Sequence, residues 1–124
     1  MALQSNLFKP DAKLQACLTS DSAHVTQGSA GEHVRRIQSA LLALDKLKID
    51  DSELAAHRYG ASTAAAVLAF KRKRGIINRS YQTQADNIVG KMTIAALDAE
   101  MLTREKSMTI IVQAAVCRWK ETNA

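Results

Sequence analysis

YGASTAAAVLAF, residues 59–70, and VGKMTIAAL, residues 89–97, share the skeleton Gly-x-x-Thr-x-x-Ala-apolar. In the first the positions are Gly60, Thr63, Ala66 and Val67; in the second they are Gly90, Thr93, Ala96 and Leu97. A glycine just before a helix permits a positive φ or a close approach of backbone. A threonine in the first turn bonds a free amide or the neighbouring connection. The alanine three residues on lets another helix come near, and the apolar residue beside it fills the core. Two copies thirty residues apart therefore predict two helices that enter one shared interior from tight turns.

Outward from these corners the apolar spacing stays helical. The helix expected at 61–74 turns Ala66, Val67 and Phe70 inward and ends in KRKRG. Lys71–Arg74 there complement the negative end of the helix dipole, and Gly75 is a natural C′ residue. Upstream, Val34, Ile37, Leu41, Leu44 and then Leu47 or Ile49 mark an amphipathic helix at 31–47, with Arg35, Arg36, Ser39 and Asp45 opposite. The connection DDSELAAHR is polar, with room for one short helical turn; Asp50, Asp51 and Glu53 read as a solvated run. Downstream a helix starts near Lys91 and faces Ile94, Ala95, Leu97 and Leu102 inward. No Gly or Pro follows Gly90, so 91–120 forms one long helix or two with a soft break near 103–106. Pro10-Asp11 opens a short helix with Leu14, Cys17 and Leu18 on one side, and 19–31 reads as a loop. The chain thus divides into an N-terminal arm (1–30), a central helical domain (31–102) and a C-terminal amphipathic helix (103–124), in an all-α fold.

The composition agrees with helices. Of 124 residues 47% are hydrophobic, many of them alanine, and only 4% are aromatic. A net charge of +5 suits an acidic partner, whether nucleic acid, an anionic membrane face or a carboxylate-bearing polymer, or simply keeps the protein soluble. Cys17 and Cys117 lie far apart in apolar contexts and read as buried free thiols. The opening MALQSNLFKPDAKLQACL lacks a basic lead followed by an apolar run, and no stretch reaches the roughly 20 apolar residues of a membrane span. The expectation is a protein cytoplasmic as synthesised that reaches the periplasm or cell wall only through non-Sec export. His24, His33 and His57 lack metal-ligand spacing, and no nucleophile motif or phosphate-cradling loop occurs. No metal, no cofactor and no enzymatic activity are expected.

The order of features is more specific than either corner. Gly31-x-x-Val34-x-x-Ile37-Gln38-x-x-Leu41 precedes Tyr59-Gly60-x-x-Thr63-x-x-Ala66-Val67-x-x-Phe70; then come Gly75-Ile76 and Asp86-Asn87-Ile88-Val89-Gly90-x-x-Thr93-x-x-Ala96-Leu97. Over residues 31–99 this resembles the peptidoglycan-binding domain family, a small three-helix module often appended to bacterial cell-wall hydrolases. The chain departs from the family pattern where Ala56-His57 replace Asp-Gly, where Asn87 replaces a glycine, where Lys71 replaces a glutamine and in the longer loop 77–85.

The resemblance implies a three-helix bundle, here with an extra C-terminal helix and an arm, and non-catalytic binding of peptidoglycan glycan or stem peptide. It also implies that Tyr59 fills a core aromatic position and that Gln38 bonds a turn. Basic and aromatic groups near the ends of the second helix nominate a ligand set: Arg58, Tyr59, Lys71, Arg74, Asn78, Arg79, Tyr81 and Asn87. Cations would pair with stem-peptide carboxylates and tyrosine would meet sugar faces. The alternative is a repurposed protein-interaction module, such as a secretion-system or effector accessory domain. It would act through a partner or a homodimer along Met108, Ile111, Val112, Ala115 and Trp119. Nucleic acid is disfavoured as a partner because the basic tetrad follows the apolar helix instead of decorating its exposed face.

Overall fold

The computed structural model describes residues 2–20, 23–77 and 86–123, the last as backbone only from 108 onward. The fold is all-α, with five helices among the described residues. Helix α1 (Ala12–Thr19) starts where Asp11 accepts the amides of Lys13 and Leu14, an N-cap that satisfies two free donors. Helix α2 (Glu32–Asp45) ends at Lys46 in the left-handed region, and the short α3 (Asp51–Ala56) ends likewise at His57. Helix α4 (Ala61–Arg74) stops at Gly75, whose φ of 66° suits the residue expected at C′. Helix α5 runs unbroken over Lys91–Asn123, roughly 50 Å at 1.5 Å per residue. The open choice between one helix and two thus falls to one, and no break near 103–106 sets off a separate C-terminal helix.

Both corners sit at helix starts. Gly60 caps α4, and Gly90 directly precedes α5. Val67 and Leu97 are fully buried with Val34, Ile37, Leu41 and Phe70, and Thr63 and Thr93 are buried beside them. Helix α5 packs on α1 and α2, and α4 packs on α2. Two isolated bridges are the extended pairings among the described residues.

The N-terminal thirty residues belong to the same interior. Leu3, Phe8, Leu14, Cys17 and Val25 join the single core cluster. The turn at residues 4–7 is held by two carboxylates one face of α5 presents: Asp98 accepts the amides of Gln4 and Ser5, and Glu105 those of Asn6 and Leu7. The segment after α1 then stitches the corners together. Val25 exchanges two backbone bonds of 2.9 Å with Val89. Tyr59 N–H donates to Ser29 at 2.8 Å, Gly28 N–H to Tyr59 at 2.8 Å, and Gly31 N–H to His57 at 3.0 Å.

Candidate functional site

The corner regions carry Arg58, Tyr59, Lys71 and Asn87 of the predicted ligand set, and the structure builds them as two versions of one device. Gln38 follows Ile37 on α2, and its Nε2 donates to the carbonyl of Arg58 and to Thr63 Oγ1, both at 3.0 Å. Lys71 follows Phe70 on α4, and its Nζ donates to the carbonyl of Ile88 at 2.9 Å. Arg58 lies two residues before Gly60 and Ile88 two residues before Gly90. Helix α2 therefore latches the corner that launches α4, and α4 the corner that launches α5, with an amide in the first case and an ammonium in the second.

The space that each glycine leaves is filled by a side chain from elsewhere. A Cβ on Gly60 would stand 2.6 Å from Glu53 Cδ, and one on Gly90 would stand 3.1 Å from His24 Nε2. Gly60 has φ −98°, so close approach and not backbone torsion requires glycine there. Glu53 Oε1 accepts from Gly60 N at 2.9 Å and Thr63 N at 3.0 Å, while Oε2 accepts from Ser62 N at 3.0 Å and Ser62 Oγ at 2.6 Å. Burial pushes this carboxyl up, but the bonds from Ser62 and Thr63 together prevail and hold it at about 2. Glu53 is only 4% exposed, which corrects the solvated run read from the sequence. It caps α4 from outside that helix, and the positive helix terminus favours its charge.

Of the eight nominated residues, three are committed inward. Tyr59 is fully buried and donates its hydroxyl to the carbonyl of Asn87; burial, then the Asp86 charge, push its pKa up. Lys71 is buried and paired with Asp86. Arg74 grips Asp45 through two bonds of 2.7 and 2.8 Å, pairs with Glu100 and lies 3.8 Å over the Phe70 ring. The Asp45 and Glu100 bonds raise the guanidinium's pKa, and Arg74 in turn lowers that of Asp45. Arg58 and Asn87 are exposed, and Tyr59 brings them to the same corner region. Asn78, Arg79 and Tyr81 lie outside the described residues. Gln38 bonds a turn, in line with the reading of that position. Glu53, His24, Asp98 and Glu105 carry local geometry and were not singled out for it. A carboxylate a few residues before an uncapped Gly-x-Ser-Thr helix start was the available signal for Glu53.

Chemically, the gathered charges neutralise one another and fix the corners, leaving Arg58 and Asn87 as donors and acceptors toward solvent. Among the described residues no group of three or more His, Cys, Asp or Glu side chains is placed to hold a metal ion, and no helix is long and apolar enough to cross a membrane. No family model, curated protein or solved structure matches this chain.

Proposed function

We propose that the chain is a non-catalytic binding module of the peptidoglycan-binding kind, recognising glycan or stem peptide beside its second corner. One observation carries the reading: both Gly-x-x-Thr corners open helices into one core, and each is latched at the corresponding carbonyl, the first by α2 and the second by α4. The ordered motif set behind the resemblance is thus internally consistent in three dimensions. With Tyr59, Lys71 and Arg74 engaged internally, the contact set on described residues narrows to Arg58 and Asn87. The test is a pull-down on purified sacculi with the full chain and with an Arg58→Ala/Asn87→Ala variant of unchanged helicity. Retention of the parent and reduced retention of the variant support the reading; retention no better than a control protein of equal charge overturns it.

A second reading, a module that binds a protein, is favoured by the length of α5. Among the described side chains of α5, which end at Ser107, Met101 is the last in the core, and the helix backbone continues to Asn123. The sequence along that extension carries the apolar stripe from Met108 to Trp119. Light scattering across a concentration series, comparing the parent with Ile111→Asp, separates the readings: a dimer lost in the variant favours self-association, and a monomer throughout counts against it.

A further inference from the structure

Arg74 is the node at which three helices are tied together. It closes α4, bonds Asp45 at the end of α2 and pairs with Glu100 on α5. Five further cations stand around it: Lys46 and Lys48 just past α2, Arg72 and Lys73 in the last turn of α4, and Arg104 one turn beyond Glu100. All five are exposed. Lys73 reaches Asp45 at 3.6 Å with its side chain 69% exposed; the other four make no ion pair among the described residues. The carboxylates at the node, Asp45 and Glu100, are both taken by Arg74, and the Asp45 side chain is buried. The helix dipole accounts for cations in the last turn of α4. It does not account for Lys48, which lies outside α2, or for Arg104, which lies in the middle of α5. Apolar side chains are interleaved with these charges. Leu42, one turn before Lys46, is 36% exposed, and Leu44 and Leu47 are only partly buried.

We infer that the joined ends of α2 and α4 dock on an anionic membrane face, with lipid headgroup phosphates on the cations and Leu42 dipped into the interface. An anionic surface with an apolar layer beneath it complements both kinds of group. Lysine suits such a surface, because its stem lies along apolar material while the ammonium stays among the phosphates. Nucleic acid would use the charges through its backbone and leave Leu42 without a role. The surface involves neither Arg58 nor Asn87, so it stands or falls separately from sacculus binding.

The test is flotation of the full chain with vesicles of phosphatidylcholine alone or of an equal mixture of phosphatidylcholine and phosphatidylglycerol. The chain floats with the mixed vesicles and not with phosphatidylcholine alone, and added salt releases it. A cation close to such a surface contributes about fivefold to partitioning, so Lys48→Gln/Lys73→Gln binds about 25-fold more weakly. Lys9→Gln/Lys13→Gln removes the same charge around the start of α1, beside the start of α2, and binds as the parent does. Leu42→Gln, with helicity unchanged, weakens binding about threefold or more through lost apolar burial. Absence of flotation with the mixed vesicles overturns the proposal. So does an equal loss in the two lysine pairs, which makes net charge alone the cause. A Leu42→Gln variant that binds as the parent does overturns it as well, and binding of a DNA duplex by the chain at the same salt then assigns the patch to nucleic acid.

Discussion

Glu53 offers the sharpest test of how the first corner holds. Glu53→Ala deprives three backbone amides and the Ser62 hydroxyl of their acceptor. Bonds to a charged acceptor are worth about 1.5–3 kcal/mol each but do not add, and N-cap losses run about 0.5–2 kcal/mol, so the alanine variant should lose about 3 kcal/mol. Glu53→Gln should lose about 2 kcal/mol, because its amide keeps one acceptor oxygen but turns a donor toward donors. In a domain of this size 3 kcal/mol corresponds to a fall in Tm of about 10 °C. The pH dependence fixes the mechanism. The folded-state pKa of about 2 lies below the ordinary 4.5. The carboxylate therefore stabilises the fold fully above pH 4.5 or so, and this contribution disappears as pH falls through 2. Urea melts of parent and Glu53→Gln should differ most above pH 5 and converge toward pH 2. A variant within about 0.5 kcal/mol of the parent, the range of a neutral surface change, would refute the assignment. A gap that does not change between pH 5 and 2.5 would do the same.

Gly60→Ala should destabilise by about 1–3 kcal/mol as an overpacked contact, since the new methyl meets the Glu53 carboxyl; the Gly60→Ala/Glu53→Ala double variant should cost less than the sum, measured as a double-mutant cycle. Arg74→Lys keeps one charge but loses the paired bonds to Asp45 and the stack on Phe70, so chemical denaturation should report a loss of about 1–2 kcal/mol. Cys17 is fully buried, donates to the Val89 carbonyl at 3.3 Å, and has a thiol that burial pushes up to about 11. In a Cys117→Ser background, a thiol reagent at pH 8 should react with it only at the rate of unfolding, and rapid labelling of the native protein would contradict that placement.

What the sequence made legible is what short-range geometry determines. The two glycine corners, the α4 boundaries and the Gly75 cap follow from spacing within a few residues, and the core stripe on α2 follows from the 3.6-residue period. The basic tetrad occupies the last turn of α4 as expected, and the same period explains how it divides. Lys71 lies four residues after Val67, and Arg74 four after Phe70, so both fall on the inward face; Arg72 and Lys73 fall between and are exposed. The remaining features depend on partners distant in the chain. Val25 meets Val89, and Asp98 meets Gln4 and Ser5; no local pattern encodes such pairs.

The two latches also differ in what they require of their surroundings. Gln38 is neutral, and its Nε2 satisfies a carbonyl and a hydroxyl, while its Oε1 is buried without a partner among the described residues. An orphaned acceptor costs about 1–3 kcal/mol, but no charge has to be balanced. Lys71 reaches the matching carbonyl with a buried ammonium, and a buried charge persists only when paired. Asp86 supplies the countercharge and is thereby fixed at the start of the second corner, where its Oδ1 also accepts the Ile88 amide at 3.1 Å. A lysine latch where the first corner has a glutamine thus couples the end of α4 to residues 86–88 through one ion pair.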